Sequence, residues 1–127
     1  MNEHTRDFLV AARRHQTAAE FLRTLADDEP TVREWIAVVA FYSAVHYINA
    51  YLWERQQIEP ANHAERSRFV LFVRDLRPIQ DVYRSLRDTA YVCRYSPQYR
   101  LTLDDVDVRL NDLRAVQRLI ESLLGQS

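Results

Sequence analysis

The sequence holds no lysine, one glycine, one cysteine and four prolines among 127 residues, and each shortage excludes something. With Gly125 as the lone glycine, no Gly-rich loop can bring its backbone up to a phosphate at positive φ. P-loop and dinucleotide-binding folds are excluded. The lone cysteine, Cys93, cannot form an internal disulfide and fits a reducing, cytoplasmic setting. The four histidines lack His-x3-His or HExxH spacing and have no paired cysteines beside them, so neither a metal site nor a cofactor is expected. No Ser or Cys nucleophile motif occurs. No apolar run approaches the ~20 residues of a membrane span, so no membrane association is expected. The opening MNEHTRDFLVAARRHQ lacks an apolar segment followed by a small-residue cleavage site, which argues against a secretory leader.

What remains is 47% hydrophobic and 28% charged, the composition of an ordinary globular domain, read here as one unit over residues 1–127. All 17 basic residues are arginine. The planar guanidinium suits phosphate recognition, and a GC-rich genome produces the same bias. Net charge is -1, yet residues 55–100 carry nine arginines against five acids. The middle third is the basic part.

Apolar spacing of three and four residues predicts helices from end to end. Phe8, Ala12, His15, Ala19, Leu22 and Ala26 form one stripe, closed by ADDEP. Thr31 with Glu34 has the pattern of a capping box and opens a long second helix to about Gln57. Asn62 with Glu65 repeats the pattern before a short helix carrying Phe69, Phe72 and Val73. Pro78 opens a fourth helix with Ile79, Val82, Tyr83, Leu86, Ala90 and Cys93 on its buried face. Thr102 and Asp105 cap the last, which buries Val106, Leu110, Leu113, Val116, Ile120 and Leu123 and stops at Gly125. The expected fold is all-α, an up-and-down bundle of four long helices and one short one.

The second helix is apolar on every side. Ala37, Ala40, Ala44, Tyr47 and Tyr51 share one side of it, and the expectation is a homodimer formed there. Within AFYSAVHYINAYLW, His46 reads either as a buried imidazole held by a tyrosine hydroxyl or backbone carbonyl, or as a proton-transfer group. His15 reads as a core histidine. His63 falls in the first turn of the short helix, where free N–H groups favour an anion. With Arg66 and Arg68, NHAERSR is either a phosphate-binding corner or an exposed capped helix start.

Three pieces in this order, AFYSAVHYINAYL (40–52), NHAER (62–66) and RYSPQY (94–99), resemble the HEPN superfamily of small helical domains. The likeness is to the branch with a YYxxFH second helix and an RYxxxY element after helix four. The resemblance implies a helical bundle that dimerises, is encoded in defence or toxin–antitoxin settings, and has a cognate antitoxin or nucleotidyltransferase as partner. It also implies binding of RNA or a nucleotide, with metal-independent endoribonuclease activity in many members and adaptor roles in others. The Arg-x4-6-His motif of the ribonucleases is absent here. Carried over residue by residue, the candidate catalytic set is His46, His63 and Arg94, with Arg94 as phosphate clamp; the candidate binding set is Arg66, Arg94, Tyr95, Tyr99 and Tyr42.

Overall fold

A computed structural model describes residues 1–125 as an all-α bundle. Helix α1 spans Glu3–Arg23, α2 Thr31–Gln56, α3 His63–Phe72, α4 Gln80–Tyr95 and α5 Leu103–Gly125, with a 3-10 turn at Arg74–Ile79 between α3 and α4. Four helices are long and α3 is short, as the periodicity predicts.

Helix α2 is the axis of the bundle because none of its sides is polar enough to face water. Phe41, Ala44, Tyr47, Ile48 and Leu52 are fully buried and pack with Leu9 and Ala12 of α1, Tyr83 and Leu86 of α4, and Leu113, Val116 and Ile120 of α5. Burying each large side chain stabilises the fold by about 1.5–3 kcal/mol. A smaller cluster at the other end joins Ile36 and Ala37 to Ala19, Ala26, Leu101, Val106 and Leu110. The stretch from Trp35 to Leu52 has no charged residue, and by length and composition α2 could cross a membrane. Its three polar breaks, Ser43, His46 and Asn49, hide it from a search for unbroken apolar runs. Here the surrounding helices bury most of it.

Polar groups at the axis are paired, which is why they can be buried. The Ser43 hydroxyl donates to the Ala12 carbonyl at 2.7 Å. Tyr47 donates to Gln16, and Gln16 donates to Gln117 at 2.6 Å, so one chain of neutral groups joins α2, α1 and α5. Tyr51 donates to Asp75 at 2.6 Å. Burial pushes both phenols up to about 12, so both remain donors. The alanine and tyrosine side expected to meet a second subunit is therefore used inside the chain: Ala37, Ala40, Ala44, Tyr47 and Tyr51 are all buried.

The helix ends follow local chemistry with some shifts. Asn62 accepts from Glu65 N–H at 2.8 Å, and Thr102 and Asp105 cap each other reciprocally. Thr31 caps nothing. The carbonyls of Glu29 and Pro30 accept from Val32 and Arg33 N–H, so the first turn closes on backbone and Thr31 is its first helical residue. Pro78 lies inside the 3-10 turn rather than opening α4, which starts two residues later. Gln57 ends α2 with φ of 50°, a left-handed conformation usually given to glycine.

Two faces are also rotated from expectation. In α1 the buried line is Thr5, Leu9, Ala12, Gln16 and Ala19, with Phe8, His15 and Leu22 half-buried beside it. Thr5 is tolerated there because its hydroxyl donates to Glu54 at 2.8 Å. In α3 Phe72 is 76% exposed, and Arg66 and Val70 take the interior.

Candidate functional site

Arg94 lies in the last turn of α4, where a cation complements the helix dipole. Its Nη1 donates to the Tyr42 hydroxyl at 2.6 Å and its Nε to the Ala90 carbonyl at 3.3 Å. The guanidinium carbon is 5.6 Å from the Tyr42 ring centroid and 5.3 Å from that of Tyr95, within cation–π reach of both. Among the described residues no carboxylate pairs with Arg94. It is a fixed cation with donors to spare, standing between two hollows.

The first hollow, of about 470 Å³, is lined by Tyr42 of α2, His63 of α3, and Arg87, Tyr91, Arg94 and Tyr95 of α4. Tyr91 and Tyr95 are 60% and 64% exposed with ring centroids 4.9 Å apart, which makes an open aromatic platform. Asp88 is the acid of this lining, and Arg87 already pairs with it. The hollow therefore keeps an excess of positive charge.

His63 begins α3, with its ring 5.3 Å from Phe41 and 6.0 Å from Tyr42. Its Nδ1 is 2.9 Å from Arg66 Nη1. A guanidinium only donates, so Nδ1 accepts and the ring proton of the neutral form sits on Nε2. Burial, then Arg66 and Arg94, hold the His63 pKa below 6.5, which favours that neutral form. In this state His63 presents an N–H donor, with no free lone pair.

Arg66, expected on the binding surface, is 6% exposed. Its Nε donates to Asn49 Oδ1 at 3.0 Å while Nη1 holds His63, so it joins α2 to α3 and positions the histidine. No carboxylate pairs with it among the described residues. Its buried charge adds to the potential behind the hollow.

His46 lines neither hollow. It faces α1, with ring centroids 5.0 Å from His15 and 6.5 Å from Phe8. The tyrosine or carbonyl partner expected for it is missing at Nδ1, which is buried without a hydrogen bond among the described residues. Burial, then His15 and Arg66, lower its pKa. Tyr99 is also set apart from His63, because Pro97 ends the helical register and carries it to the second hollow, beyond Arg94.

Of the residues expected at the site, Tyr42, His63, Arg94 and Tyr95 meet in one place. Sequence reasoning missed Arg87 and Tyr91. Their signal was the spacing Arg87, Tyr91, Arg94 and Tyr95, two aromatics on the polar face of a helix. It also missed Glu34, Trp35 and Arg100 around the second hollow. Comparison of the chain with protein-family models, with curated proteins and with solved structures finds no match, so its chemistry is read from this arrangement of residues.

Proposed function

We propose that the chain is an HEPN-like module that binds single-stranded RNA or a nucleotide in the hollow between α2, α3 and α4. The observation that carries this reading is Arg94, unpaired by any carboxylate and held against Tyr42 and Tyr95 beside His63. A phosphate takes the free guanidinium donors and the His63 Nε2 proton, and a base stacks on Tyr91 or Tyr95. Arg87 supplies a second cation at the rim. The three motifs in HEPN order contribute the residues concerned, which supports the family reading and, through it, a partner of the antitoxin or nucleotidyltransferase kind.

Binding is favoured over cleavage by the state of His63. Strand scission by the 2'-hydroxyl needs one group to accept its proton and another to protonate the leaving 5'-oxygen. The ring that faces the hollow has its lone pair engaged by Arg66, and His46 faces α1.

The test is binding of mixed-sequence single-stranded RNA and of a nucleoside monophosphate at low salt, with cleavage monitored in EDTA. Tyr95→Ala should weaken binding by about 5- to 150-fold, the range of one stacked base, and Arg94→Ala by about 10- to 150-fold, the range of a charged hydrogen bond to the phosphate. Two phosphate contacts predict a log–log salt slope near about -1.4. Affinity that is absent for both RNA and a nucleoside monophosphate, or unchanged in both variants, overturns the reading. Cleavage in EDTA that needs His63 would replace it with the ribonuclease.

A further inference from the structure

On the far side of Arg94 lies the second hollow, of about 440 Å³, a size within the roughly 300–1,000 Å³ of small-molecule sites. Its walls include Pro30, Trp35, Val38 and Pro97. Trp35 is 59% exposed, so one large aromatic surface is left unpacked at the rim. Arg94 and Arg100 supply cations, and the Arg100 Nη1 is oriented by the carbonyls of Pro97 and Tyr99 at 2.9 and 3.0 Å. Glu34, in the first turn of α2, lines the same space.

Glu34 Oε2 is buried and has no hydrogen-bond partner among the described residues. A carboxylate only accepts, and a buried acceptor left empty is costly, so Glu34 lacks a donor; its Oε2 lies beneath the lining of the hollow, and a turn of the carboxyl group about its last bond would bring it to a donor there. The neighbouring Cys93 does not supply it, and burial pushes that thiol up to about 11, out of the range of a nucleophile. A water molecule would satisfy the oxygen alone. It would leave the exposed indole and the two arginines unexplained.

We infer that this hollow is a base pocket selective for guanine, in which Glu34 accepts from the N1–H and N2–H₂ edge, Trp35 stacks on the base and Arg94 or Arg100 takes its phosphate. The inference rests on the RNA- or nucleotide-binding reading and extends it across Arg94 into base identity. Selection follows from donor counting. Guanine alone presents two adjacent donors on its Watson–Crick edge. Adenine and cytosine offer one amino group beside a ring nitrogen acceptor, and uracil offers one N–H between two carbonyls that repel a carboxylate. The guanine has two sources, a free nucleotide or a residue within RNA.

The experiment titrates the protein with GMP, AMP, CMP and UMP, and with the pentanucleotides UUGUU and UUAUU, followed by tryptophan fluorescence and calorimetry. Glu34→Gln is the diagnostic variant, since it keeps shape, breaks no hydrogen bond of the fold and replaces one acceptor by a donor. GMP should bind at least about ten-fold more tightly than AMP, and the variant should bring the two within about two-fold. Preference for GMP without preference for UUGUU identifies the free nucleotide as the source; preference for both identifies RNA. Equal affinity for GMP and AMP, or a guanine preference that survives Glu34→Gln, overturns the inference. If UUAUU still binds in an Arg94-dependent manner, the inference falls alone. If no nucleotide or oligonucleotide binds, both readings fall.

Discussion

Replacing Arg66 by methionine keeps an unbranched stem of similar reach and removes a guanidinium that is 6% exposed. Two acceptors lose their donor, Asn49 Oδ1 and His63 Nδ1. Asn49 is itself 6% exposed, so its orphaned carbonyl costs about 1–3 kcal/mol. His63 is half-buried and reaches water, which limits its loss to about 0.5–1.5 kcal/mol. Relief of a desolvated charge works the other way, and the expected net loss is about 2–3 kcal/mol. Against the roughly 5–15 kcal/mol of a typical domain, the variant remains folded. Replacing Asn49 by leucine in the same chain removes the orphan, so the double variant should recover about 1–2 kcal/mol of the loss. Urea unfolding of the parent, Arg66→Met, Asn49→Leu and the double variant measures this. NMR titration gives an independent reading: Arg66 helps depress both His63 and His46, so both histidine pKa values should rise in Arg66→Met. A variant that unfolds at the parental urea concentration, with neither titration moved, refutes the buried-cation account.

Other perturbations follow from the same contacts. Both His46 and His63 titrate below their ordinary 6.5 in the fold, so the unfolded chain binds their protons first as pH falls. Stability should be full above about pH 6.5 and decline as pH drops from there toward the depressed folded values; a urea midpoint independent of pH across this window contradicts that. Tyr47→Phe orphans the Gln16 carbonyl and should cost about 1–3 kcal/mol in thermal or urea unfolding. Gln57→Gly relieves a left-handed non-glycine residue and should stabilise by up to about 1 kcal/mol, a gain visible as a raised Tm. Phe72→Ser should leave the urea midpoint within about 0.5 kcal/mol of the parent, since the ring is already in solvent.

Periodicity and capping patterns made the helix number and most helix ends legible, because those features depend on neighbours three or four residues away. Asn62 and Thr102 cap as their sequences imply. Properties set by distant segments were not legible. Arg66 has the same local pattern as a solvated arginine, and only the approach of Asn49 from α2 shows it to be internal. Thr31 loses its capping role to the Glu29 and Pro30 carbonyls, which frees Glu34 to face the second hollow. Tyr95 and Tyr99 are four residues apart, yet helical spacing no longer applies beyond Ser96, so they serve different hollows.

The chain of neutral groups from Tyr47 through Gln16 to Gln117 has a consequence for how the molecule responds to its medium. None of the three changes charge between pH 5 and 9, and screening by salt hardly weakens bonds between uncharged partners. The junction of α1, α2 and α5 therefore keeps one alignment across conditions. The arginine-lined end lacks that immunity, since its attraction for an anion falls with ionic strength. On the proposed RNA- or nucleotide-binding role, raising salt should empty the hollows while the scaffold behind them stands unchanged, so ligand release and unfolding would separate along a salt axis.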